Sequence, residues 1–199
     1  MEESTVRPRS RSADPSDDSL LSAASEEKRS AGEGRERGHL RYSSPEGVFE
    51  AHYRSLSRAL AVVAGDSAVA EEAVQEAFSK LCLNWERVSQ YEDQVAWVRR
   101  VAVNQVRDHH RAVRRRAALW AKMEKEPRES ALPETADGRL WRAVRQLPVK
   151  QRTALALYYV ADLSVADVAE GMGISRGSAL KHLDRARSRL RTLLEASHE

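Results

Sequence analysis

Apolar residues return along much of this chain at steps of three and four, the period of an α-helix. Val48, Phe49, His52, Tyr53, Leu56, Leu60 and Val63 form one such stripe, running from Pro45 to Gly65. The stretch Ser43-Ser44-Pro45-Glu46 supplies its start: a serine cap, proline in the first turn and a carboxylate at the positive end. Asp66 caps a second helix, whose stripe is Ala70, Ala73, Val74, Ala77, Phe78, Leu81 and Trp85. The opposite face of that helix carries Glu71, Glu72, Gln75, Glu76 and Ser79, an acidic strip that is a solvated face or a docking surface for a basic partner. A loop over 88–94 leads into a long helix from Val95 to Arg116. Val98, Val101, Ala102 and Val106 give its buried side, and Arg99, Arg100, Arg107, Arg111 and Arg114 to Arg116 load the remainder with charge.

A second helical unit begins near Asp137. Leu140, Trp141, Val144 and Leu147 make a short helix broken at Pro148, and Val149 to Ala161 make the next. Two helices joined by a very short turn follow. Ser164 and Asp167 are spaced as a capping box, and Val165, Val168, Ala169 and Met172 repeat at helical spacing. Gly171 and Gly173 permit a left-handed turn, Ile174 fills the angle, and Ser175 caps the second helix. There Ala179, Leu183, Ala186 and Leu190 share an apolar face. Ser178, Lys181, His182 and Arg185 share another, with Arg176 at the first turn. This pattern predicts a helix-turn-helix whose second helix enters a major groove; an ordinary helical hairpin with a solvated basic face is the alternative.

The intervening segments have a different character. Residues 1–43 are rich in Ser, Arg, Glu, Asp and Gly, too poor in apolar content to offset the entropy of ordering, and are expected to be a disordered tail. Residues 117–138, with mixed charge and two prolines, read as a flexible linker. The expected architecture is therefore all-α. Two small helical domains, 44–116 and 139–199, follow a tail, and the second contains the helix-turn-helix. Of the 199 residues, 45–95 carry a net −5, 96–116 a net +6 and 139–199 a net +5. Two basic blocks separated by acidic or neutral sequence suit two contacts with a polyanion. On the long helix, a face so rich in arginine, with Tyr91 and Trp97 close by, suits a nucleic-acid backbone with exposed bases stacking on the aromatics; a solvated basic helix is the alternative.

Other chemistries find little support. Cys82 is the single cysteine, so no internal disulfide forms; beside Leu81 and Trp85 it reads as a small packed residue. No Cys/His cluster suggests zinc, and no apolar run is long enough to span a bilayer. The N-terminus lacks the apolar core of a signal peptide, so a reduced, cytoplasmic location is expected. Asp108-His109-His110 invites a metal or general-base reading, but consecutive helical residues point about 100° apart and share no face. No metal, cofactor or catalytic residue is expected.

Several motifs in order resemble the extracytoplasmic-function (ECF) group of RNA polymerase sigma factors, in the sigma-70 family. Ala70-Glu-Glu-Ala-Val-Gln-Glu-Ala-Phe78 and Ala96-Trp-Val-Arg-Arg-Val-Ala-Val-Asn104 are similar to that group's region 2. Leu147-Pro-Val-Lys-Gln-Arg152, Leu163-Ser-Val-Ala-Asp-Val-Ala169, Gly173-Ile-Ser-Arg-Gly177 and Arg185-Ala-Arg187 are similar to its region 4. The resemblance covers Phe49 to about Arg191. It implies that region 2 docks on core polymerase through Glu72, Gln75 and Glu76 and opens the −10 element. Tyr91 and Gln94 would hold a flipped base, with Trp97, Arg100, Asn104 and Arg107 along the single strand. Region 4 would read the −35 element through Arg176, Ser178, Lys181, His182 and Arg185. Core polymerase and promoter DNA are the implied partners, and the resemblance admits an anti-sigma protein without requiring one. The chain departs from the family where Leu180, Lys181 and His182 replace the usual Lys and Ser-Arg, so promoter sequence does not carry over. The rival outside the family is a helix-turn-helix regulator that binds DNA as a dimer. It would leave the arginine helix and the acidic strip unused.

Overall fold

The caps legible in the sequence start the helices in space. In a computed structural model, which describes residues 41–120 and 138–196, every regular element among the described residues is helical. The elements are α1 (Pro45–Ala64), α2 (Ser67–Leu83), α3 (Trp85–Val88), α4 (Gln94–Trp120), α5 (Gly138–Arg145), α6 (Val149–Tyr159), α7 (Val165–Met172) and α8 (Arg176–Glu195). Ser44 accepts from Gly47 N, and Asp66 accepts from the N–H groups of Ala68 and Val69. Ser164 and Asp167 complete the capping box of α7, and Ser175 accepts from Ser178 N at the start of α8. Each cap of this kind is worth about 1 kcal/mol. The readings of residues 1–40 as a tail and of 121–137 as a linker concern residues outside those described.

Two bundles follow. In the first, α1 packs on α2 and α4 crosses both; in the second, α5, α6 and α7 pack around α8. Leu60, Leu81, Val63, Val98 and Val106 are fully buried in the first, and Leu157 and Leu183 in the second. The two bundles also pack on each other, α1 against α6 and α4 against α7. Nothing in the hydrophobic pattern had pointed to this contact.

The module contact accounts for the first two of several local differences from the sequence reading. Arg99, expected on the charged side of the long helix, is buried. Gly171, read as part of the turn, is helical and buried; a Cβ there would lie 3.4 Å from Arg99 Cβ and 3.8 Å from Leu157 Cδ1, so the bundles meet at van der Waals distance. Gly173 alone makes the turn, with φ +64. The long helix continues through residues 117–120 instead of ending at Arg116. Cys82 is exposed, not packed: with Leu81 turned fully inward, the next residue points about 100° away, towards solvent.

Candidate nucleic-acid and polymerase interfaces

Three surfaces gather the residues singled out from sequence. The first is acidic. Glu72, Gln75 and Glu76 are exposed on α2 and line one wall of a groove. Gln105, Asp108, His109 and Arg115 of α4 line the other. Lys80 pairs with Glu76 at 3.2 Å across one turn, while nothing pairs Glu72 in this way among the described residues.

The second surface is the loop between α3 and α4, shortened from the expected 88–94 to residues 89–93, with the first half of α4. Asp93 Oδ1 accepts from Ala96 N at 2.8 Å and caps the helix. Tyr91 and Trp97 are half-buried against the hydrophobic core, and Asn104 is exposed, accepting from Arg107 Nη1 at 3.4 Å. Gln94 is different. It is 2% exposed, its Oε1 accepts from Tyr42 N at 2.8 Å, and its Nε2 donates to Tyr42 O and Ser89 O. The amide thus pins the segment before α1 to the loop, and in this arrangement it has no free edge for a base. Arg100 is also occupied: its Nε and Nη2 both donate to Glu170 O, at 3.3 Å, on the other module.

Arg99 explains how that contact is held. Its guanidinium lies 3.3 Å from Asp167 of the α7 capping box and 3.6 Å from Asp93. Burial raises the Asp167 carboxyl, but hydrogen bonds from Ser164 and the charge of Arg99 outweigh it and hold the group below the usual carboxylate range. Two adjacent arginines of α4 therefore clasp both ends of α7. A second contact joins α6 to the first module. Arg152 is buried, donates to Arg145 O at 3.0 Å, and brings Nη2 within 3.4 Å of His110 Nε2. His110 Nε2 also lies 2.9 Å from Val63 O; it must donate there, so Arg152 sits beside that nitrogen without bonding to it.

The third surface is α8. Its apolar face is buried as expected, with Ala179, Leu183 and Ala186 fully enclosed. Arg176, Lys181 and Arg185 are exposed. Ser178 is half-buried, its hydroxyl 2.9 Å from that of Ser175, and His182 is half-buried near Lys150. Leu180 and Asp184, which the sequence reading did not select, share the exposed strip with the three cations. Arg187 is an internal strut: Nε donates to Tyr159 Oη at 3.1 Å, Nη1 pairs with Asp184 at 3.1 Å, and its charge lies over both Tyr158 and Tyr159.

Three histidines are held below the usual imidazole range. For His52 the causes are burial and then the charge of Arg99, opposed by Asp93. For His110 they are burial, opposed by the Val63 carbonyl, and then the charges of Arg152, His109 and Arg114. For His182 they are burial, Lys150 and Arg185. The fold therefore prefers neutral imidazoles. As pH falls through their normal range the unfolded chain takes up protons that the folded chain refuses, so stability is full above that range and is lost below it. The thermal midpoint is expected to drop between about pH 7.5 and about pH 5.5. His110→Gln, which keeps a donor for Val63 O, should flatten part of that drop; an unchanged profile would remove His110 from the account.

No group of three or more His, Cys, Asp or Glu side chains among the described residues could hold a metal ion. No described helix is long and apolar enough to cross a membrane.

Comparison with known proteins matches this geometry to one family. Residues 48–116 match sigma-70 region 2, and residues 137–190 match sigma-70 region 4. The ECF RNA polymerase sigma factor SigM of Mycobacterium tuberculosis is 32% identical over 154 residues, covering 74% of this chain and 75% of that protein. The chain belongs to the sigma-70 family, in its ECF group. The RNA polymerase sigma-E factor of Streptomyces coelicolor is 28% identical over 153 residues, or 74% of this sigma factor and 86% of that one. Among solved structures, the sigma factor RpoE in complex with the anti-sigma factor NepR, from Bartonella quintana, shares the fold. Its TM-score is 0.62 at 20% identity, over 75% of this chain and 96% of that one. CnrH, solved in complex with the cytosolic domain of CnrY, matches with TM-score 0.53 at 21% identity, over 84% and 94%. In this sigma factor, region 2 holds the acidic groove and the loop with its arginine helix, and region 4 holds the helix-turn-helix. The clasp of Arg99 and Arg100 on α7 joins region 2 to region 4.

Proposed function

We propose that this sigma factor binds core RNA polymerase through the acidic wall of α2, melts the −10 element on the surface of Tyr91, Trp97, Arg100, Asn104 and Arg107, and reads the −35 element with α8. The observation that supports this best is α8 itself: a capped recognition helix whose exposed strip carries Arg176, Lys181 and Arg185 while its other face is sealed. The protein catalyses no reaction of its own and works in the cytoplasm, where polymerase and promoter are. An anti-sigma protein is a further partner, a reading supported by the complex of the structural relative RpoE with the anti-sigma factor NepR.

The closed contact between the modules sets a condition on this function. By their names the −10 and −35 elements lie about 25 base pairs apart, or about 85 Å at 3.4 Å per pair. Helix α4, the longest element at 27 residues, spans about 40 Å. Two modules in contact cannot sit on both elements, so the clasp of Arg99 and Arg100 on α7 opens before the promoter is engaged. Opening also returns Arg100 to the −10 surface.

A gel shift distinguishes this function from that of a dimeric regulator. The sigma factor should shift a promoter duplex well only when core polymerase is present. Tight binding of a palindromic duplex by the protein alone would overturn the proposal.

A further inference from the structure

The recognition helix exposes two residues that phosphate binding does not explain, Leu180 and Asp184. Among the described residues, the large apolar side chains left exposed are Phe49, Leu83, Val113 and Leu180. Leu180 is the fifth residue of α8, within the first two turns, the part of a recognition helix that reaches base edges. Its direction is fixed by its neighbours: Ala179 and Leu183 are both fully buried, which turns position 180 outward and leaves it 42% exposed. It lies one turn after Arg176 and one turn before Asp184 on the same exposed strip.

The charge along that strip shows which part of the DNA it meets. A surface that lies along phosphates presents cations and neutral hydrogen-bond donors, not carboxylates or bulky apolar side chains. Here an apolar side chain and a carboxylate occupy the middle, with Arg176, Lys181 and Arg185 around them. Asp184 is 62% exposed at its side chain and is held at 3.1 Å by Arg187, itself fixed by Tyr159. Such a carboxylate is repelled by phosphate and is satisfied by a base-edge donor. The middle of the strip therefore faces bases and its cations flank them. In the major groove, the feature that an aliphatic side chain recognises is the C5-methyl group of thymine.

We infer that Leu180 is a specificity-determining residue of the −35 contact and reads a thymine through its methyl group. The inference rests on the reading of this chain as a sigma factor and names a base for one position of its recognition helix.

Deoxyuridine differs from thymidine by that methyl alone, and so isolates the contact. The full chain with core polymerase would first be used to select a preferred −35 duplex from a random pool. Each thymine in it, on either strand, would then be replaced singly by deoxyuridine, with wild-type and Leu180→Ala protein compared. Wild type should lose about fourfold in binding at one position, the worth of one buried methyl. With Leu180→Ala that position should show no difference between thymine and uracil, while the thermal midpoint stays as in wild type. A selected element without thymine, a flat uracil profile, or a uracil penalty that persists in Leu180→Ala would overturn the assignment. Failure of the wild-type complex to select any −35 sequence would overturn the sigma-factor reading itself, a different outcome from selection with a flat profile.

Discussion

Alanine at Tyr91 is expected to cut open-complex formation by about tenfold or more while core binding and −35 binding remain intact. Region 2 has to capture a base that has left the stack, and unstacking costs a few kcal/mol. Stacking on an aromatic ring returns about 1–3 kcal/mol, enough for one side chain to decide whether the strand opens. On the proposed melting surface that role falls to Tyr91. Gln94, at the start of α4, is buried and spends its amide on Tyr42 and Ser89, whereas Tyr91 is half-exposed. Permanganate reactivity of unpaired thymines on a linear duplex promoter reports the defect, with a thermal melt to confirm that the variant is folded. A template already melted at −10 should restore most of the activity. Normal permanganate reactivity in Tyr91→Ala would remove this residue from the melting surface.

The second large effect is expected at Asp167. Asp167→Ala leaves the Ser164 cap on the backbone N–H of residue 167. It removes the reciprocal half of the α7 capping box, and also one of the two carboxylates around Arg99. Removing one partner of a buried ion pair typically destabilises by about 3–5 kcal/mol because the remaining charge stays out of water. Arg99 retains Asp93 at 3.6 Å and regains water if the modules part, so the loss falls on the closed arrangement more than on either bundle. At least tenfold redistribution towards an open form is expected, at about 1.4 kcal/mol per factor of ten. Cys82, the single and exposed cysteine, accepts one dye, and Ser188→Cys on α8 accepts the other. Energy transfer between them should fall in Asp167→Ala and, in wild type, on addition of core polymerase. An unchanged signal in both experiments would mean that this ion pair does not govern opening.

Local chemistry was legible in the sequence and tertiary context was not. Ser44, Asp66, Ser164 with Asp167, and Ser175 were all read as caps, because capping depends on neighbours three residues away. The buried face of α8 followed from its period. What the sequence withheld involves partners far along the chain. Arg99 looked like one more surface arginine, and its burial depends on Asp167, 68 positions later. Gly171 looked like a turn residue because it precedes Gly173 by two, but its missing side chain lets α7 lie against α4. Gln94 is polar and opens α4; nothing local announces that its partner is Tyr42. On α8 polarity alone singles out Ser178 and His182 rather than Leu180. Their exposure ranks them differently, since Ser178 bonds back to the cap and His182 leans towards α6. Counting the turns from Ala179 and Leu183 would have placed Leu180 outward from sequence alone.

Run-off transcription with purified core polymerase and a pool of genomic promoter fragments tests the central claim most directly. The account predicts that this protein, added to core, yields discrete transcripts from a limited set of fragments that core alone does not transcribe. It also predicts that those fragments share paired −10 and −35 elements. Transcripts no different from those of core alone, with the protein still folded and bound to the polymerase, would contradict it.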